Sequence, residues 1–260
     1  MRAIKDRLLC SLQKHEWINR LLRVGKAGVE RAKSKILYRT YPSFDGRNLR
    51  SIYGLLSTYD IVSFDIFDTL LSRKVGVPTN LFYVMEDRNG ISGFHDKRIA
   101  AERTARQKCS EKNGEVDIFD IYREFADSPA ADVENMVREE LRAEKETCYA
   151  NPEIQMLYQL LAGKGSRMIA VSDMYIPGEY LRELLDNCGY SRIEQIFVSC
   201  DYGVAKGNGA LQRLVQSSTG DKMKCIHIGD NFTSDVLGSK MAGWDAVWYK
   251  SMNNLHCSKE

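Results

Sequence analysis

The sequence predicts an α/β protein: a doubly wound parallel sheet with an all-helical segment inserted after its first strand. Short apolar, β-branched runs alternate with stretches of helical periodicity through most of the chain, as expected for strands buried on both faces. Residues 72–159 interrupt that alternation with helical patterns alone. The side chains best suited to chemistry fall at the carboxyl end of a predicted strand or in the loop after it, which is where open α/β sheets bind ligands.

The predicted strands run from Asp60 to Phe64, Arg167 to Val171, Gln195 to Ser199, Lys224 to Ile228 and Ala246 to Tyr249. Helical periodicity separates them over 177–187, 207–217 and 233–242, with Pro177 suited to a first turn and Gly189 to a C-terminal stop. Inside the insert, Leu81 to Arg88, His95 to Cys109, Val116 to Phe125 and Ala130 to Tyr149 read as helices with no strand between them. Asn151 and Pro152 have the chemistry of an N-cap and a first-turn residue, so a helix returning to the sheet starts there. Upstream, Tyr41-Pro42-Ser43 and Asp45-Gly46 read as a linker and Asn48 to Tyr59 as a short helix. These patterns divide the chain into an appendage and linker over 1–45, a core over 46–71 and 160–260, and a helical insert over 72–159.

A chain of 260 residues is long enough to bury a sizeable core. No apolar run of about 18 residues exists to span a bilayer, and the charged N-terminus lacks the apolar segment of a secretory signal, so the expected location is the cytoplasm. Seven scattered cysteines, an odd number with no CxxC spacing, read as reduced thiols rather than a disulfide framework or zinc site. His227 falls within a predicted buried strand and reads as a core residue or as support for a site.

The net charge of +2 is unevenly spread: residues 1–40 hold eleven Lys or Arg against Asp6, Glu16 and Glu30, a balance of +8 that leaves −6 for the rest. Ile4, Leu8, Leu12, Trp17-Ile18 and Leu21-Leu22 lend the same stretch an amphipathic pattern. Such asymmetry points to an appendage that packs on protein or lies on an anionic membrane surface, and not to a nucleic-acid-binding core.

Asp65 ends the run Ile61-Val62-Ser63-Phe64, and a carboxylate at the end of a buried strand is unfavourable unless paired or metal-bound. Ser172 ends the second strand, Lys206 sits in the loop Val204-Ala205-Lys206-Gly207-Asn208-Gly209, and Asp230 and Asp235 follow the strand ending at Ile228. Taken singly, a serine in a turn, a solvated lysine or a helix-start aspartate is ordinary.

Taken together, from Ile61 to Tyr249 and in this order, these motifs resemble the signature of the haloacid dehalogenase (HAD) superfamily. The resemblance implies that Asp65 is a nucleophile forming an aspartyl-phosphate, that Ser172 hydrogen-bonds a phosphoryl oxygen, and that Lys206 neutralises charge on the nucleophile and the transferring group. It further implies Mg²⁺ as cofactor, held by Asp65, the Phe67 carbonyl and Asp230, with Asp235 orienting the ion or Lys206; hard carboxylate oxygens suit that ion. The helical insert resembles a type 1 cap, and the substrate class implied is a small phosphorylated molecule. Ser63 to Arg73, with Pro78 and Phe82, looks like a HAD subgroup that accompanies bacterial polysaccharide biosynthesis, which would make the substrate a phosphorylated sugar or polyol. Arg98, Glu102 and Arg106 share one helical face, either as a substrate contact or as a salt-bridged solvated surface.

The departure from the family pattern is Phe67, where most HAD phosphatases place the aspartate that acts as general acid and base. Asp68, where the family often has Gly, is the nearest carboxylate. Dehalogenases also carry an aromatic residue at this position, but they lack the Gly229-Asp230 metal signature. Phosphate monoester hydrolysis with Asp68, the cap or solvent as proton source is the favoured reading, beside hydrolysis of a substrate with a good leaving group such as an acyl phosphate. A non-catalytic HAD-fold module docking a glycosyltransferase or membrane is the alternative from a different class.

Overall fold

The computed structural model describes residues 41–110, 114–125, 132–220 and 222–250; the basic appendage over 1–40 lies outside them. In chain order the elements begin with β1 (Ser43–Phe44), α1 (Leu49–Leu56), β2 (Ile61–Phe64) and β3 (Leu71–Arg73). The insert supplies α2 (Leu81–Asn89), α3 (Phe94–Ser110), α4 (Ile118–Arg123) and α5 (Val133–Thr147), and β4 (Cys148–Ala150) leads out of it. Then come α6 (Pro152–Lys164), β5 (Arg167–Ser172), α7 (Gly178–Asn187), β6 (Ile193–Val198) and α8 (Ser199–Tyr202). The chain continues through α9 (Ala210–Thr219), β7 (Cys225–Gly229), a π-helical turn (Phe232–Leu237), α10 (Gly238–Met241) and β8 (Asp245–Tyr249). Among the described residues no helix is long and apolar enough to cross a membrane.

Among the described residues six strands form one parallel sheet in the order β1-β8-β7-β2-β5-β6. The chain passes from β2 outward to β5 and β6, then returns to β7 on the other side of β2. That reversal places a crevice at the carboxyl ends of β2 and β7, the position where doubly wound sheets bind ligands. Side chains alternate across the sheet: Val62, Phe64, Met168 and Ile226 enter one core, while Ile61, Ile169, Val171 and Cys225 enter the core under α9. Burial of both faces explains why these strands read as continuous apolar runs.

The predicted strands all form, within a residue or two of their expected ends. Two pairings were not legible. Ser43–Phe44, read above as linker, adds an edge strand against Trp248 and Tyr249; two residues are too few to show a period, and only β8 makes them a strand. Likewise Leu71–Arg73 pairs antiparallel with Cys148–Ala150, so the insert is helical except for a short two-stranded neck. Asn151 ties that neck down: its Nδ2 donates to the Thr69 carbonyl and to the Tyr249 hydroxyl, both at 2.9 Å, while its Oδ1 accepts from Glu153 N as the N-cap of α6.

Within the insert, α3 packs on α2 and α4, and α5 closes against α2 and α4. Arg98 of α3 is fully buried, its Nε and Nη2 donating to Glu140 of α5 at 2.7 and 2.8 Å, and Tyr122 donates to the same carboxylate at 2.6 Å. Phe82, Tyr122 and Tyr175 surround its guanidinium with aromatic faces. Arg98 and Arg106 both pair with Glu102, so this face is salt-bridged as one of the two readings had it. It is not solvated at Arg98, because α5 covers that end.

Removing one partner of such a pair strands a charge. Arg98→Ala is therefore expected to lower unfolding free energy by about 3 to 5 kcal/mol, whereas Arg106→Ala, losing a half-exposed pair, should lower it by less than about 1 kcal/mol. Urea denaturation of both variants measures the difference; equal effects would mean that the Arg98–Glu140 pair carries no special weight.

Candidate active site

Asp65 is the first residue beyond β2, and its backbone N–H donates to the Ile228 carbonyl at 2.9 Å, so the β2–β7 ladder runs up to Asp65. Leu70 N and Leu71 N donate back to the carbonyls of Asp65 and Ile66, which folds residues 65–71 into a tight turn. Asp68 sits inside that turn at φ 58°, the only non-glycine at positive φ among the described residues. Asp is one of the few L-residues that tolerate this region, which is the physical reason that it can stand where Gly is common.

Lys206 is brought to Asp65 from the loop before α9. Its Nζ lies 2.6 Å from Asp65 Oδ1 and 2.6 Å from Asp235 Oδ1, and it is almost wholly buried. Asp173 anchors the loop by accepting from Lys206 N at 2.7 Å. Two glycines make the approach possible: a Cβ on Gly229 would lie 2.2 Å from Asp235 Oδ2, and one on Gly238 would lie 2.1 Å from the Lys206 carbonyl oxygen. The Gly of Gly229-Asp230 is thus a packing requirement imposed by Asp235.

Asp235 lies in the π-helical turn, buried, and is not merely a charge at a helix start. Asn231 caps that turn, accepting at Oδ1 from Thr233 N and Ser234 N, while Asn231 N donates to Asp235 Oδ2 at 2.8 Å. Carboxylate oxygens of Asp65, Asp230 and Asp235 all lie within 4.8 Å of one another. The three carboxylates offer hard oxygen donors within reach of one another, a donor set that suits a divalent cation with oxygen ligands. Ser172 ends β5, beside β2 in the register Phe64↔Ala170, so it is buried at the same end of the sheet as Asp65.

Phe67 is buried beside this cluster, and the Arg73 guanidinium lies over its ring at 4.0 Å from the centroid. Arg73 is bound in turn by Glu144 of α5 at 3.1 and 3.2 Å, and its Nη1 lies 3.9 Å from Asp68 Oδ2. Sequence reasoning missed Arg73, Glu144 and Asp173. A carboxylate directly after Ser172 was the one available signal; Arg73 and Glu144 are linked only through the neck.

The charges respond to this crowding. Burial raises the Asp65 pKa to about 8, with Lys206 opposing and Asp235 and Asp230 reinforcing the shift. For Asp235, burial acts upward too, but Lys206 and the His227 hydrogen bond outweigh it and hold the group well below the usual carboxylate range. Burial would lower the Lys206 pKa, yet Asp235 and Asp65 push it well above the ordinary lysine value. One ammonium shared by two carboxylates serves Asp235 better, because only Asp235 also accepts from His227 and Asn231.

A raised Asp65 pKa means that the folded chain holds a proton that the unfolded chain has released between about pH 4 and 8, so this group's contribution to stability falls as pH rises through that window. A divalent ion competes with that proton. A fixed Mg²⁺ concentration is therefore expected to raise the melting temperature more at pH 8 than at pH 6, read by scanning calorimetry with and without the ion. A larger gain at pH 6 would place the bound ion away from Asp65.

No family model matches the sequence, and no curated protein matches it. Solved structures do. HAD-hydrolase YfnB from Bacillus subtilis, bound to magnesium, superposes with a TM-score of 0.53 at 18% identity over 77% of this chain and 98% of that one. The HAD phosphatase from Thermococcus onnurineus superposes with a TM-score of 0.52 at 18% identity over 74% and 86%, and 2-haloacid dehalogenase from Pseudomonas syringae pv. tomato DC3000 matches with the same four values. The parallel sheet with its helical insert is therefore the HAD fold.

Proposed function

We propose that the chain is a Mg²⁺-dependent phosphatase that hydrolyses a small phosphomonoester through an aspartyl-phosphate on Asp65. The observation that carries this reading is the buried Asp65 carboxylate held 2.6 Å from Lys206 within a cluster of three carboxylates. Dehalogenation shares the fold and the aromatic residue at 67, but it has no use for the acidic cluster around Asp65, Asp230 and Asp235.

Asp65, Asp230 and the Phe67 carbonyl would hold Mg²⁺, with Asp235 directing Lys206; the ion would neutralise phosphoryl oxygens and orient them for in-line attack. One carboxylate oxygen of Asp65 attacks phosphorus while Lys206 holds the other, and the P–O bond to the leaving group breaks. The Ser172 hydroxyl donates to a phosphoryl oxygen. Water then attacks phosphorus, releasing phosphate and the Asp65 carboxylate.

Asp68 is the proton source that we favour. Burial raises its pKa, with Arg73 opposing, so it retains a proton more readily than a solvated carboxylate, and Phe67 cannot carry one at all. The chain's likeness to the polysaccharide subgroup points to a phosphorylated sugar or polyol as substrate. Phe67 in place of the usual acid is also what a catalytically silent module docking a glycosyltransferase or membrane would carry.

A phosphate-release screen over sugar phosphates and small phosphomonoesters, with and without Mg²⁺, separates the two: release that needs Mg²⁺ and vanishes in Asp65→Asn is expected. Retained release in Asp65→Asn would refute covalent catalysis, and no release from any substrate would favour the docking module. For the proton, Asp68→Asn should slow an alkyl phosphate about 10² to 10⁴-fold and an aryl phosphate much less. Equal losses at matched folding would remove Asp68 as the acid.

A further inference from the structure

His227 is absorbed neither by the fold nor by the reaction as described. It points from β7 into the face of the sheet otherwise filled by Ile61, Ile169, Val171 and Cys225, where an apolar side chain would pack without desolvating a polar ring. Instead both ring nitrogens are used: Nδ1 lies 2.7 Å from Ser63 Oγ, and Nε2 lies 3.2 Å from Asp235 Oδ1. Sheet register explains the first contact, since Ser63 of β2 stands directly opposite His227, two residues before Asp65 and on the same face.

The contacts close a ring. From Asp65 it runs through Lys206, Asp235 and His227 to Ser63, and β2 itself joins Ser63 back to Asp65. Exposures of 2%, 1%, 0% and 0% for Lys206, Asp235, His227 and Ser63 leave Asp65 as the one member of the ring that opens on the crevice. An ionised carboxylate only accepts, so Nε2 must carry the proton toward Asp235. In a neutral ring Nδ1 then accepts, and the Ser63 hydroxyl donates to it. Lys206 Nζ, His227 Nε2 and Asn231 N are three donors that together set the plane of the Asp235 carboxylate.

We infer that His227 is a positioning residue, a buried imidazole whose Nε2–H, oriented from behind by Ser63, locks Asp235 so that Asp235 and Lys206 hold Asp65 at the divalent-ion site. This rests on the ion site of the proposed function, and the effect it predicts is on assembly of that site. Partners that orient a ligand set from behind usually change metal affinity about 10 to 100-fold when removed.

Two measurements on the full chain test it. Imidazole nitrogen NMR of the metal-free wild type, with the His227 signal identified by its loss in His227→Gln, is expected to show the proton on Nε2. Calorimetric titration with Mg²⁺ alone is expected to show affinity weakened about 10 to 100-fold in His227→Leu, with Gln, which keeps an N–H donor, restoring most of it. A ring lacking the Nε2 proton overturns the assignment, as does wild-type affinity in the Leu variant or equal loss in the Leu and Gln variants. Should the Leu variant not fold, or should the wild type bind no Mg²⁺, the proton position decides alone. Absence of Mg²⁺ binding would then count against the proposed function and not against the ring.

Discussion

The ammonium of Lys206, gripped between Asp65 and Asp235, is the interaction on which the rest of the site depends. Carboxylates this close would repel strongly in a buried setting, and the ammonium shared between Asp65 and Asp235 makes the approach of those two tolerable. It also draws three separate pieces of chain together: the end of β2, the loop before α9 and the turn after β7. The close fits at Gly229 and Gly238 follow from it, because neither the Asp235 side chain nor the Lys206 backbone could come so near a residue with a Cβ.

A second line of contacts runs outward from the same turn. Phe67 lies under Arg73, Arg73 belongs to the neck strand β3, and Glu144, which binds Arg73, belongs to α5 of the insert. The backbone that presents Asp65 is therefore braced by the helical insert through the buried Arg73–Glu144 ion pair. Arg98 and Tyr175 add a further link, since the guanidinium from α3 rests on a ring from the segment after Ser172. Both arginines are neutralised by glutamates, so among the described residues these two contacts join the insert to the core through paired charges and aromatic faces.

Much of the site was legible in the sequence because its residues sit where local pattern is strongest. Asp65, Ser172 and Asp230 each stand at or just past the carboxyl end of an apolar run, and Lys206 and Asp235 lie within glycine- and asparagine-marked turns. Asp68 was visible as an oddity, and its left-handed backbone is the reason that only a few residue types fit there. The partners of these residues were not legible. Ser63 and His227 are 164 positions apart and Arg73 and Glu144 are 71 apart, and no local period records such contacts.

By itself the sequence determined the fold class, the order of strands along the chain and which candidate side chains stand at the carboxyl ends of those strands, since hydrophobic period and turn chemistry are local properties of the backbone. Strand order in the sheet, the two-residue edge at Ser43–Phe44, the neck at Leu71–Arg73 and the burial of Arg98 were decided by tertiary structure alone. Each depends on a partner distant in sequence, and burial turns an ordinary surface-type residue into a structural one. The Asp65 to Ser63 ring belongs to the same group: it arises from the register of β2 against β7, which pairing across the sheet sets and composition does not.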